Sequence, residues 1–149
     1  MRRRHFLALA LALPGTAAAA GSDGPLVTVT KSPSCGCCAD WVEHMRAAGF
    51  EVEVEDVSQG ALYRLKARLG LTPELASCHT ATVGGYVIEG HVPAADVRRL
   101  LAERPEARGL AVPGMPVGSP GMEIGDRRDP YDTLLIGQQG ETTVFARHR

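Results

Sequence analysis

The 149-residue sequence predicts one α/β domain built on a mixed sheet, and three observations carry that prediction. In the first half, apolar spacing switches between two and about 3.6 residues, the pattern of a strand–helix–strand–helix run with parallel pairing. A Gly84-Gly85 pair between two β-rich runs then marks an antiparallel hairpin. With 44% hydrophobic and 22% charged residues, the chain is long enough to bury a core without crosslinks, and its composition excludes global disorder.

The first twenty residues stand outside this fold. Arg2, Arg3 and Arg4, the apolar run Phe6 to Leu13, Pro14-Gly15 and the small residues Ala17 to Ala20 have the layout of a cleaved secretory signal. Arg3-Arg4-His5-Phe6-Leu7 has the twin-arginine look, and a Sec signal with an Arg-rich start is the alternative. The apolar run falls well short of the roughly 20 residues of a spanning helix, and no later stretch approaches that length, so no membrane insertion is expected. Residues 1–20 are therefore expected to be a signal peptide that exports the chain, and residues 25–149 the domain. Without the signal the charge is 13 basic against 17 acidic residues. With only seven aromatics, no basic, aromatic-rich surface for nucleic acid is implied.

Leu26 to Thr30 is a short β-branched run. The breakers Ser32-Pro33-Ser34-Cys35-Gly36 follow it, and then Cys38, Trp41, Val42 and Met45 repeat at helical spacing up to Gly49. Glu51 to Glu55 alternates charge with valine, the pattern of a half-buried strand whose glutamates face water. Leu62, Leu65 and Leu69 mark a second helix over Ala61 to Leu69, ended by Gly70. Thr80 to Val83 and Tyr86 to Glu89 form the hairpin, and Pro93 opens a third helix through Val97, Leu100 and Leu101 that closes before Pro105. Gly109 to Gly125 holds five glycines and three prolines in seventeen positions, which excludes a regular helix or central strand and predicts a long loop, functional or loose, carrying Met115 and Met122. Thr133 to Ile136 and Thr142 to Phe145 read as a terminal hairpin that extends the sheet or shelters the site.

Cysteine spacing carries the functional information. Cys35, Cys37 and Cys38 crowd into four residues while Cys78 stands alone, so any full pairing closes one loop of two to four residues. Crosslink stabilisation grows with loop size, so a purely structural staple explains the cluster poorly. The cysteines fall at the first strand-to-helix turn and contain a C-x-x-C, which points to a thioredoxin-like three-layer sandwich. There the helix N-terminus favours thiolate over thiol, and thiolates serve both disulfide exchange and soft-metal binding.

Thioredoxin-like oxidoreductases usually place a cis-proline before the strand that follows the second helix. Here that stretch reads Ala76-Ser77-Cys78-His79-Thr80, with a cysteine and a histidine in its place. In such a fold Cys78 points back at the triplet, and the resulting soft-donor set suits Cu(I) or Zn(II).

Several separate motifs make a resemblance. Pro33-Ser34-Cys35-Gly36-Cys37-Cys38 with Trp41, Ser77-Cys78-His79-Thr80, Glu89-Gly90-His91-Val92-Pro93 and the stretch from Gly114 to Glu123 resemble the CopG family of periplasmic copper-resistance proteins, over Val27 to Phe145. The resemblance implies a periplasmic setting and copper bound by Cys35, Cys37, Cys38 and Cys78, as a multinuclear Cu(I)–thiolate cluster, with a copper redox role in resistance. A copper chaperone that hands its metal to a copper-handling partner protein shares these ligands and is a further alternative. His79, Met115 and Met122 are candidate auxiliary donors, with gap-filling the ordinary use of methionine. Trp41 and His91 are expected to pack or cap, and His44 to be solvated. The rival reading is a thiol-disulfide oxidoreductase or metalloid reductase, with Cys35 attacking and Cys38 resolving.

Overall fold

A computed structural model describes residues 24–149; the expected signal segment, residues 1–20, lies outside the described residues. Ten elements follow in order: β1 (Leu26–Lys31), α1 (Gly36–Ala47), β2 (Glu51–Asp56), α2 (Gln59–Arg68), β3 (Thr80–Val83), β4 (Tyr86–Glu89), α3 (Ala94–Glu103), β5 (Ala107–Ala111), β6 (Tyr131–Gly137) and β7 (Thr142–His148). The strands form one mixed sheet in the order β2-β1-β3-β4-β5-β6-β7. The β1–β2 and β4–β5 pairs are parallel and the others antiparallel.

Alternation along the central strands sorts residues to two faces. Val27, Val29, Ala81, Ile88 and Leu110 meet Trp41, Val42 and Met45 of α1 and Val97 and Leu100 of α3 in the main core. On the opposite face Val87, Ala111 and Ile136 pack with Leu71 and Leu75, which follow α2. Helices on one face, sheet, and α2 with its following segment on the other make three layers, consistent with the expected thioredoxin-like sandwich.

Glycines punctuate the elements where backbone geometry requires it. Gly84 and Gly85 both take positive φ, 55° and 89°, as a tight two-residue hairpin between β3 and β4 demands.

Three expectations change. The stretch beginning at Gly109 was expected to hold no central strand, yet Gly109, Leu110 and Ala111 belong to β5, between β4 and β6. A Cβ on Gly109 would lie 1.7 Å from the Val87 carbonyl oxygen, so glycine here permits close strand approach and does not break the strand. β2 is more exposed than a half-buried strand: Val52 is half-buried and Val54 is exposed, because β2 is a sheet edge. His44 is not simply solvated; its Nε2 accepts the Ala94 N–H at 3.0 Å, satisfying a free donor at the start of α3. Burial lowers its pKa, partly offset by Glu123. The terminal hairpin extends the sheet through β5, with β6 and β7 paired along their lengths.

Candidate functional site

Cys35 is the N-cap of α1 and makes no side-chain cap hydrogen bond, while Cys37 and Cys38 lie in the first turn. That turn carries no acidic side chain, so the positive end of the helix dipole faces the sulfurs uncompensated. Cys38 is fully buried; Cys35, Cys37 and Cys78 are half-buried.

The lone cysteine meets the triplet. Cys78 Sγ lies 3.6 Å from Cys37 Sγ, which lies 3.6 Å from Cys35 Sγ. All four sulfurs fall within 4.8 Å of one another. Metal–thiolate bonds of about 2.3 Å put sulfurs about 3.8 Å apart around a tetrahedral ion and about 4.6 Å apart across a linear one. The 3.6 Å spacings of Cys37 to Cys35 and to Cys78 are close to those around a soft thiophilic cation, whereas Cys35 and Cys38 are bonded to each other and must part to join them.

Cys35 and Cys38 are joined by a disulfide, and Cys37 and Cys78 are free thiols. In this oxidation state two of the four candidate donors are tied to each other, and a two-electron reduction is needed to make them thiolates. Burial, together with the neighbouring Cys37, pushes the Cys78 thiol up to about 12.

His79 follows Cys78 into β3 and is fully buried, its ring 4.5 Å from that of Trp41 and 5.1 Å from that of His91. Neither of its ring nitrogens has a hydrogen-bond partner. Burial is the chief cause that holds its pKa well below the ordinary value, with His91 and Lys66 adding to it. His91 is buried as well, its Nδ1 2.8 Å from the Pro120 carbonyl oxygen and its Nε2 unpartnered. Trp41 packs in the main core and donates from Nε1 to the Val92 carbonyl at 2.9 Å. Glu51, Glu53 and Glu55 are exposed.

The glycine- and proline-rich loop closes over the same end of the sheet. At Gly121, φ is +83° and an added Cβ would lie 2.6 Å from Cys37 O and 2.8 Å from Trp41 N, so the loop backbone rests on the first turns of α1. Gly114 N–H donates to Ala76 O at 3.2 Å, and Ser77 Oγ donates to Gly114 O, which ties the loop to the Cys78 segment. Met115 is exposed, and Met122 is half-buried in a turn closed by its N–H to Ser119 O at 2.8 Å.

Sequence reasoning missed the support beneath Cys78. Lys66 and Glu89 form a buried ion pair, with side chains 4% and 0% exposed. Glu89 also accepts the Thr80 hydroxyl at 2.6 Å and the Ser77 N–H at 2.7 Å, and Lys66 donates to Thr80 Oγ1 at 2.9 Å. Burial pushes the Glu89 carboxyl up, and Lys66 offsets part of that rise. The available signal was Lys66 itself, four residues after Leu62 on the inward stripe of α2.

An α/β domain that closes four sulfurs at a strand-to-helix turn defines a thiol-cluster protein, equipped for soft-metal or disulfide chemistry. Comparison with known proteins narrows this class. The solved structure described as "Copper resistance protein copG- Form 2" is 43% identical, with a TM-score of 0.79, over 85% of this chain and 100% of that one. That described as "Copper resistance protein copG- Form 1" is also 43% identical, with a TM-score of 0.78, over 85% of this chain and 98% of that one. The chain belongs to the CopG family. A family model described as "Protein of unknown function, DUF411" matches residues 75–122. No curated protein matches the chain.

Proposed function

We propose that this protein binds copper as Cu(I) on Cys35, Cys37, Cys38 and Cys78 and serves copper resistance or homeostasis. One observation carries the reading: four sulfurs from two distant stretches lie within 4.8 Å of one another, in a chain whose relatives are named for copper resistance. Thiolates are soft donors that favour Cu(I), and four so crowded can bridge several ions as a multinuclear cluster. His79, with two unpartnered buried nitrogens beside Cys78, and the loop methionine Met122 are auxiliary donors to the held copper in this proposal, and Met115, exposed on the same loop, is a candidate donor outside the retained set. Nitrogen donors beside thiolates would accommodate Cu(II) as well, which supports a copper-linked electron transfer. Residues 1–20 act as an export signal, residues 25–149 as the working domain, and the periplasm is its setting. The cargo is exchanged with a copper-handling partner protein. Among the described residues no helix is long and apolar enough to cross a membrane.

Anaerobic titration of the reduced protein with Cu(I) tests the reading by counting bound ions and following thiolate-to-metal absorption. Cys35→Ser and Cys78→Ser should each lower the copper bound; unchanged binding in either sinks the shared site.

The Cys35–Cys38 disulfide favours a second reading, a thiol-disulfide oxidoreductase or metalloid reductase that cycles this pair. It requires turnover of a disulfide or metalloid substrate without copper, and tolerance of Cys37→Ser and Cys78→Ser.

A further inference from the structure

A pocket of about 300 Å³ opens beside the sulfur cluster, between α2 and the turn at Gly114. Gln59, Tyr63, Ser77, Cys78 and Met115 line it, so two soft donors, one thiol and one thioether, face the same space. Met115 is 53% exposed, whereas Cys38 at the far side of the cluster is fully buried.

Met115 is held at this mouth by its backbone. Gly114 N–H donates to Ala76 O at 3.2 Å and Ser77 Oγ donates to Gly114 O, so hydrogen bonds to the peptide groups on both sides of Gly114 tie the turn to the segment carrying Cys78. Gly114 takes φ +68°, a conformation that favours glycine and sets the direction in which the chain leaves toward Met115. Met122, on the same loop, does not line this pocket.

The chemistry of the two donors differs in a useful way. A thioether is soft, neutral and has no proton to shed before it binds, so it can accept Cu(I) by simple exchange. A thiolate is the stronger ligand, but the thiol must first lose its proton. An exposed methionine beside the thiolates therefore suits brief capture, and the charged sulfurs suit retention. From Cys78 the sulfurs continue in short steps, 3.6 Å to Cys37 and 3.6 Å on to Cys35.

We propose that Met115 is the arrival donor of this site: Cu(I) delivered by a carrier with exchangeable soft ligands is taken first by the Met115 thioether and then passed to Cys78. This rests on the copper reading above and gives Met115 a transient role in place of a lasting one. Each step is a ligand exchange with no change of oxidation state. The copper–carrier bond breaks as the bond to Met115 Sδ forms, and that bond breaks as the bond to Cys78 Sγ forms, with the Cys78 proton passing to solvent.

The test separates rate from capacity. Reduced protein is mixed by stopped flow with a Cu(I)–bicinchoninate complex, and loss of the coloured complex gives the uptake rate and the copper bound at equilibrium. Met115→Leu, which keeps the size of the exposed side chain and removes only its sulfur, should slow uptake about tenfold with no change in bound copper. An unchanged rate in Met115→Leu overturns the proposal, as does a fall in copper bound, which would make Met115 a lasting ligand. If the reduced parent protein itself takes up no Cu(I), the copper reading and this proposal fall together, a result distinct from either of the others.

Discussion

Replacing Lys66 by methionine should destabilise the protein severely, and in a manner that depends on pH. The Lys66 and Glu89 side chains are 4% and 0% exposed, so Lys66→Met leaves a carboxylate buried with only the Thr80 hydroxyl and the Ser77 N–H to satisfy it. Removing one partner of a buried pair costs about 3–5 kcal/mol, a large share of the roughly 5–15 kcal/mol that holds a domain together. For a chain of this length that corresponds to a fall in Tm of about 10 °C. Burial already holds the Glu89 carboxyl above its ordinary value, so the folded protein keeps this proton to higher pH than the unfolded chain. Stability from this group is thus lost as pH rises from the ordinary carboxylate range through the raised folded value. Without the ammonium that value rises further, so the cost of Lys66→Met should be largest at about pH 8 and shrink toward about pH 5, where a neutral carboxyl can persist. Urea unfolding of reduced protein, followed by the fluorescence of the single tryptophan Trp41, measures both values. Lys66→Met/Glu89→Gln, which leaves no buried charge, should recover most of the loss. A cost below about 1 kcal/mol, or one that does not change with pH, would refute the reasoning.

Two further outcomes follow from the site. Because burial and Cys37 push the Cys78 thiol up to about 12, iodoacetamide should modify Cys78 more slowly than a free model thiol at neutral pH, with the rate climbing as pH rises toward that value; peptide mapping that finds Cys78 the fastest-alkylated thiol would contradict this. Gly121→Ala puts a Cβ 2.6 Å from Cys37 O at φ +83°, so it should cost on the order of 1–3 kcal/mol and weaken Cu(I) retention by lifting the loop from α1; unaltered unfolding and unaltered copper binding would show that the loop does not brace the cysteines.

The local elements were legible because their causes are local. The β3 and β4 bounds, Thr80–Val83 and Tyr86–Glu89, agree with the β-rich runs on either side of Gly84-Gly85, where no competing period exists. α1 and α2 extend a few residues beyond their apolar markers, because the Ser58 cap and the Cys35 N-cap precede the first buried side chain. β5 was illegible because glycine at position 109 reads as a breaker, whereas its missing side chain makes room for Val87. The cap made by His44 was illegible for a related reason, since its partner Ala94 lies 50 residues away.

The sequence by itself determined that three cysteines crowd the start of a helix, since turn residues and helical spacing act over a few residues and place Cys35, Cys37 and Cys38 whatever the rest of the chain does. It also determined the strand–helix alternation, through the periods that each element needs to bury one face. Only the tertiary structure decided that Cys78 approaches Cys37 from 41 residues away, that Gly121 seats the loop on α1, and that Lys66 and Glu89 support Ser77 from beneath. Those contacts depend on strand order and on how close two backbones can come, quantities set by packing across the whole sheet and written in no short stretch of residues.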